Sequence, residues 1–153
     1  MDAFSTHIEN LKAVIKKVKE QALLEAAESM REEIDKRIFE RSRRTDGAPI
    51  GQGKPYKDGT AGTTYEKNYA KKRQKRGLQI GFIDLQMNQN LRKAVTVLRT
   101  SSNGVKIVVQ GKSAETAANL DEQKGGIFKP TKQEIALAKK RFSEILRARI
   151  VKR

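Results

Sequence analysis

The sequence predicts an α+β fold in a single domain spanning residues 1–153. Three observations carry that prediction: an uninterrupted helical pattern over the first forty residues, two β-branched runs that read as a hairpin, and a capped helix at the C-terminus. The length is that of one ordinary domain. A chain of this size buries about two-thirds of its unfolded surface and needs no disulfide or metal to fold.

The N-terminal helix comes first. Phe4, Ile8, Leu11, Ile15, Val18, Ala22 and Ala26 recur in steps of three and four, and Leu23, Ala27, Met30, Ile34 and Ile38 continue the stripe after it drifts around the axis. No Gly or Pro occurs between residues 3 and 46. A helix of about 36 residues is about 54 Å long, more than the diameter of a domain of this size. It must therefore bend near Ala22–Ala26 or extend beyond the body to meet a partner.

Residues 45–64 contain Gly47, Gly51, Gly53, Gly59 and Gly62 together with Pro49 and Pro55. This predicts a long flexible loop, and loops of that length in compact domains are usually functional. Gly47, Ile50, Pro55 and Tyr56 are its candidate docking residues. Residues 65–76 then read as a helix, with Tyr65 and Tyr69 one turn apart and Gly77 as its stop. A short strand or turn near 78–83 and a helical turn near 84–92 follow. The β-branched runs 93–99 and 105–110, separated by Asn103-Gly104, read as a hairpin. A two-stranded hairpin is marginal alone, so a third strand is expected from 78–83 or 126–129. Ser113 is placed to cap a short helix ending at Gly125-Gly126. Thr131 and Glu134 form a capping box that opens the last helix, whose final turn carries Arg147, Arg149, Lys152 and Arg153.

The formal net charge is +15, unevenly spread. Residues 1–40 carry 7 Lys/Arg against 9 Asp/Glu, and residues 41–80 carry 11 against 3. The excess attracts polyanions or acidic protein. Its densest cluster is Lys71, Lys72, Arg73, Lys75 and Arg76 beside Tyr65 and Tyr69, where charge can meet phosphate and a ring can stack on a base. Arg41, Arg43 and Arg44 form a second cluster.

Chemistry is sparse, and the chain is expected not to be an enzyme and to need no cofactor. There is no Cys, and His7 is the only histidine, so neither a thiolate nor a multi-histidine metal site can form within the chain. Asp46, Asp58, Asp84, Asp121 and Glu122 lack the spacing of a cation loop. A phosphate-loop reading of the Gly-rich segment fails because Gly53-Lys54 is followed by Pro55 and no buried strand precedes it. No apolar stretch is long enough to span a bilayer, and the opening residues read as no secretory signal.

Three segments resemble tail-completion and head–tail joining proteins of tailed bacteriophages. They are Arg43–Gly51, Tyr65–Gly77 with its Y-E-K-N-Y and R-x-K-R-G ends, and Ile83–Val95 with D-L-Q-M-N-Q-N-L-R-K. A fourth piece, Lys124-Gly125-Gly126-Ile127-Phe128-Lys129-Pro130-Thr131 followed by Glu134, completes the order, after Ala117-Ala118-Asn119. Met87-Asn88-Gln89 departs from the family's Thr-Gly. The resemblance implies a virion protein, assembled in the host bacterial cytoplasm. As a ring of roughly six or twelve copies it would join the DNA-filled head to the tail. Its partners would be other neck, portal or tail proteins, with DNA passing through the channel and no membrane. The competing expectation is a small basic nucleic-acid-binding protein.

Overall fold

A computed structural model describes residues 3–85, 90–100, 104–124 and 126–151, with side chains from Ile8 to Ile150. The class is α+β, as the sequence predicts. Helix α1 spans Ala3–Asp35 and runs on into a π-helical turn, Lys36–Glu40. Next come α2 (Lys67–Gln74), α3 (Asn90–Ala94), strands β1 (Val95–Arg99) and β2 (Val105–Val109), α4 (Ser113–Lys124) and α5 (Lys132–Val151).

Helix α1 does not break at Ala22–Ala26. It is continuous through Asp35, about 50 Å at 1.5 Å per residue. The irregularity comes later, where Arg41 N–H donates to Lys36 O across five residues at 2.9 Å. The wider turn brings Arg37, Ile38 and Phe39 in succession into the interior. Ser42 then takes a φ of +51°, and its carbonyl accepts from Ile50 N–H, so the chain reverses at once.

Helix α5 lies antiparallel to α1. Arg37 near the end of α1 meets Glu134 near the start of α5, and Arg149 near the end of α5 meets Glu25. The hairpin packs on α1 as well. Its register pairs Val95 with Val109, Val97 with Ile107 and Arg99 with Val105. The core between these layers is built from Ile34, Ile38, Phe39, Ile50, Tyr65, Ile83, Leu91, Val95, Ala117 and Ile127.

The expected third strand is absent from the described residues; the sheet has two strands. Side chains have taken the backbone groups that a strand would have paired. Asp121 Oδ1 accepts from the N–H groups of Ile127 and Phe128, while Arg37 donates to Ile127 O and Lys129 O. In the other candidate segment, Gln79 closes a turn by donating to Phe82 O at 2.7 Å and accepting from Phe82 N–H at 3.2 Å. Gln79 O in turn accepts from Arg73. Buried backbone must be satisfied somewhere, and here arginine and carboxylate do it.

Other boundaries differ modestly from expectation. The first strand begins at Val95 because α3 continues through Ala94, and Ser113 is the first residue of α4 rather than a cap before it. The hairpin residues 101–103, residues 86–89 of the predicted helical turn, Gly125 and the Lys152-Arg153 end lie outside the described residues, as does the His7 side chain. The capping box is present: Thr131 Oγ1 accepts from Glu134 N–H at 3.1 Å, and Glu134 Oε2 accepts from Thr131 N–H at 2.6 Å.

Glu134 is also half of the buried bridge to Arg37, at 2.7 Å. Arg37→Met is expected to cost about 3–5 kcal/mol, because it strands a buried carboxylate and three carbonyls. Arg141→Met, which breaks an exposed pair with Glu144, is expected to cost about 0–1 kcal/mol. Urea denaturation of the two variants checks the ranking.

Candidate interaction surfaces

The predicted basic cluster divides into two roles. Lys71, Lys72, Lys75 and Arg76 are exposed on and just after α2, but Arg73 is fully buried. Its guanidinium Nη2 donates to both oxygens of Asp84 at 2.9 Å. Its ζ carbon sits 4.3 Å from the centre of the Tyr65 ring. The Tyr65 hydroxyl donates to Asp84 Oδ1 at 2.7 Å and accepts from the N–H groups of Asp84 and Leu85. Arg73 is therefore removed from the candidate contact residues. A helix with one inward face must bury whatever residue occupies it, and composition alone does not show which lysine or arginine that is.

Burial pushes the Tyr65 hydroxyl far above the ordinary tyrosine range, and its hydrogen bond to Asp84 adds to the effect. Helix α2 ends as the sequence predicts. Gly77 takes a φ of +67°, and Leu78 N–H donates to Arg73 O. Just beyond in the chain, Ile80 and Phe82 are exposed.

The Gly-rich segment is irregular throughout, a succession of turns. Asp58 Oδ1 accepts from Thr60 N–H, and Tyr56 N–H donates to Thr60 O. Asp58 is held below its ordinary carboxylate range chiefly by that backbone donor, and Asp46 is lowered chiefly by its hydrogen bond with Arg44. The base of the loop is tightly built. A Cβ on Gly51 would lie 1.9 Å from Gly62 O, and Gly51 has a φ of +78°, so no other residue fits there. Of the candidate docking residues, Gly47 and Pro55 are exposed and Tyr56 is half-buried under Lys124, whose Nζ lies 4.2 Å from its ring centre. Ile50 is fully buried and anchors the loop to the core, so it cannot contact a partner.

The second basic cluster faces a groove of about 850 Å³ between the end of α1 and the start of α5. Arg41, Arg43, Arg44 and Lys132 line it. Arg44 pairs with Asp46, and Arg43 donates to Gly47 O. The candidate cation ligands do not converge. Asp84 serves Arg73, Asp121 serves the backbone at 127–128, and no three His, Asp or Glu side chains gather among the described residues.

A third surface is the start of α1, where the second of the two alternatives expected for this long helix, extension beyond the body, is the one observed. From Glu9 through Lys17 every residue of α1 is exposed. Leu11 and Ile15 are 48% and 50% accessible, and Val14 is 37% accessible. The body ends near Glu20 and Leu23, where Arg99, Thr100, Gly104 and Val105 at the turn end of the hairpin lie, and the helix continues past it. The signal available in sequence was length, not periodicity.

No helix among the described residues is long and apolar enough to cross a membrane. Comparison with known proteins finds no matching family model, no matching curated protein and no matching solved structure.

Two outcomes follow for this region. Asp84→Asn is expected to destabilise the fold by about 3–5 kcal/mol by leaving Arg73 buried and uncompensated, whereas Lys72→Ala should stay within about 0.5 kcal/mol. Guanidinium unfolding separates them. Tyr65 contributes stability that is complete below its unfolded value of about 10 and is lost as pH rises through its raised folded value. Between about pH 9 and 11, Tyr65→Phe should therefore lose stability less steeply than the parent, although it starts lower because the hydroxyl's hydrogen bonds are gone.

Proposed function

We propose that this chain is a non-enzymatic structural subunit of a virion neck or tail, a ring-forming component that joins the DNA-filled head of a tailed phage to its tail. The observation that carries the reading is the projecting part of α1. A helix that leaves its own body while keeping Leu11, Val14 and Ile15 exposed has a face made to be covered by something else. The motif order from Arg43 to Glu134 supplies the kind of assembly. The exposed Lys71, Lys72, Lys75 and Arg76, with Ile80 and Phe82 following closely in the chain, suit an acidic and partly apolar protein surface on a portal or tail protein. Virion assembly in a bacterial cytoplasm, and DNA passing through the channel, belong to the same proposal.

A second reading, a small nucleic-acid-binding protein, is favoured by one feature. An exposed aromatic, Phe82, follows the four exposed cations closely in the chain, and that combination suits stacking as well as phosphate contact.

Mixing the purified chain with candidate portal and tail-tube proteins, followed by sedimentation velocity and negative-stain microscopy, tests the first reading. Closed rings, alone or on a partner, are expected; a chain that stays monomeric with every candidate overturns it. For the second reading, DNA affinity should fall steeply with salt. Neutralising Lys71, Lys72, Lys75 and Arg76 together should flatten the log–log slope by up to about 3–4.

A further inference from the structure

We propose that the projecting segment of α1 is a docking helix for an acidic amphipathic helix of a different protein. Ile8, Leu11, Ile15 and Val18 follow one another by three, four and three residues, the alternation of a two-helix seam. Leu11 and Ile15, its middle members, are half exposed. Such a seam accepts side chains from a facing helix in register.

The flanks define the chemistry of the occupant. Projected down the helix at about 100° per residue, Lys12 and Lys19 border the seam on one side. Val14 and Gln21 border the other. On the lysine side, a groove of about 350 Å³ runs along Lys12, Ile15, Lys16, Lys19, Glu20 and Leu23, three lysines against a single carboxylate. Lys12 is paired only with Glu9, on the exposed face, and Lys16 and Lys19 have no ion pair among the described residues. A facing helix with glutamates or aspartates along that flank would meet these lysines as an interhelical charge row.

A second copy fits this seam poorly in either direction. The stripe continues into Ala22 and Ala26, which are buried beneath the chain's own body. A copy laid parallel would bring its body into that filled space. A copy laid antiparallel escapes the clash, but it sets Lys12 of each chain beside Lys19 of the other, so like charges oppose along the interface. A heterologous acidic helix meets neither obstacle. The assignment stands whether or not the chain closes into a ring.

The test uses the full chain and two synthetic three-heptad helical peptides, identical in their Ile/Leu seam but carrying Glu or Lys along both flanks. Fluorescence anisotropy should show binding of the Glu peptide, at least tenfold tighter than the Lys peptide at low salt. Leu11→Asp with Ile15→Asp should weaken it at least tenfold with an unchanged circular dichroism spectrum, since both residues are exposed. Lys12→Glu with Lys19→Glu should invert the preference toward the Lys peptide, which a general loss of fold cannot do. Equal binding of the two peptides, no binding, or a preference that the charge reversal leaves unmoved overturns the proposal. So does a dimer of the parent chain in sedimentation that Leu11→Asp with Ile15→Asp dissociates, which would give the seam to a second copy. Failure to form rings bears on the assembly reading alone.

Discussion

The guanidinium of Arg37 is the point on which the body of this molecule turns. It leaves the π-helical turn at the end of α1, bonds Glu134 at the start of α5, and donates to the carbonyls of Arg43, Ile127 and Lys129. One side chain thereby fixes a helix end, a helix start, the loop after α1 and the segment that enters α5. A buried ion pair gains little net stability over an apolar replacement of the same shape. Its effect is to specify geometry, because the planar fork accepts only acceptors placed around it. The π turn matters for the same reason: it directs Arg37 inward together with Ile38 and Phe39.

Arg73 repeats the device on the other side of the core. It binds Asp84, lies over Tyr65 and takes the carbonyl of Gln79. The two arginines account for a small sheet in a domain of this size. Each satisfies main-chain groups in a segment that would otherwise need a neighbouring strand. A body assembled in this way has few long apolar elements, consistent with a hydrophobic content of 37%. Its interior depends on charged groups that are expensive to bury unless every partner is present.

Charge is arranged by region. Residues 1–40 are close to balanced while the remainder holds the entire positive excess. Within α1 itself, lysines gather on the projecting segment and carboxylates on the part that lies against the body, where Glu25 meets Arg149 and Asp35 meets Arg92. Arg92 also reaches Glu40, and these carboxylates favour its charged form, with Asp35 the stronger influence. The acidic half of the helix is thus matched internally. In the basic half, Lys16, Lys17 and Lys19 have no ion pair among the described residues.

Local rules made several elements legible in advance. The absence of Gly and Pro to residue 46 fixed the long helix, Gly77 its shorter successor's end, Thr131 and Glu134 the cap of α5, and the β-branched runs the hairpin. Each of these depends on neighbours within a turn or two of the chain. Two other matters were undecidable on that basis. Arg73 and Lys72 are equivalent as members of a basic run, and only the position of Asp84 and Tyr65 in space buries one and exposes the other. Leu11 and Ala26 belong to one apolar stripe, and only the length of α5 and the place where the hairpin ends separate core from free surface. Periodicity records that a face is apolar; what covers that face is set by elements remote in the chain, the hairpin and α5.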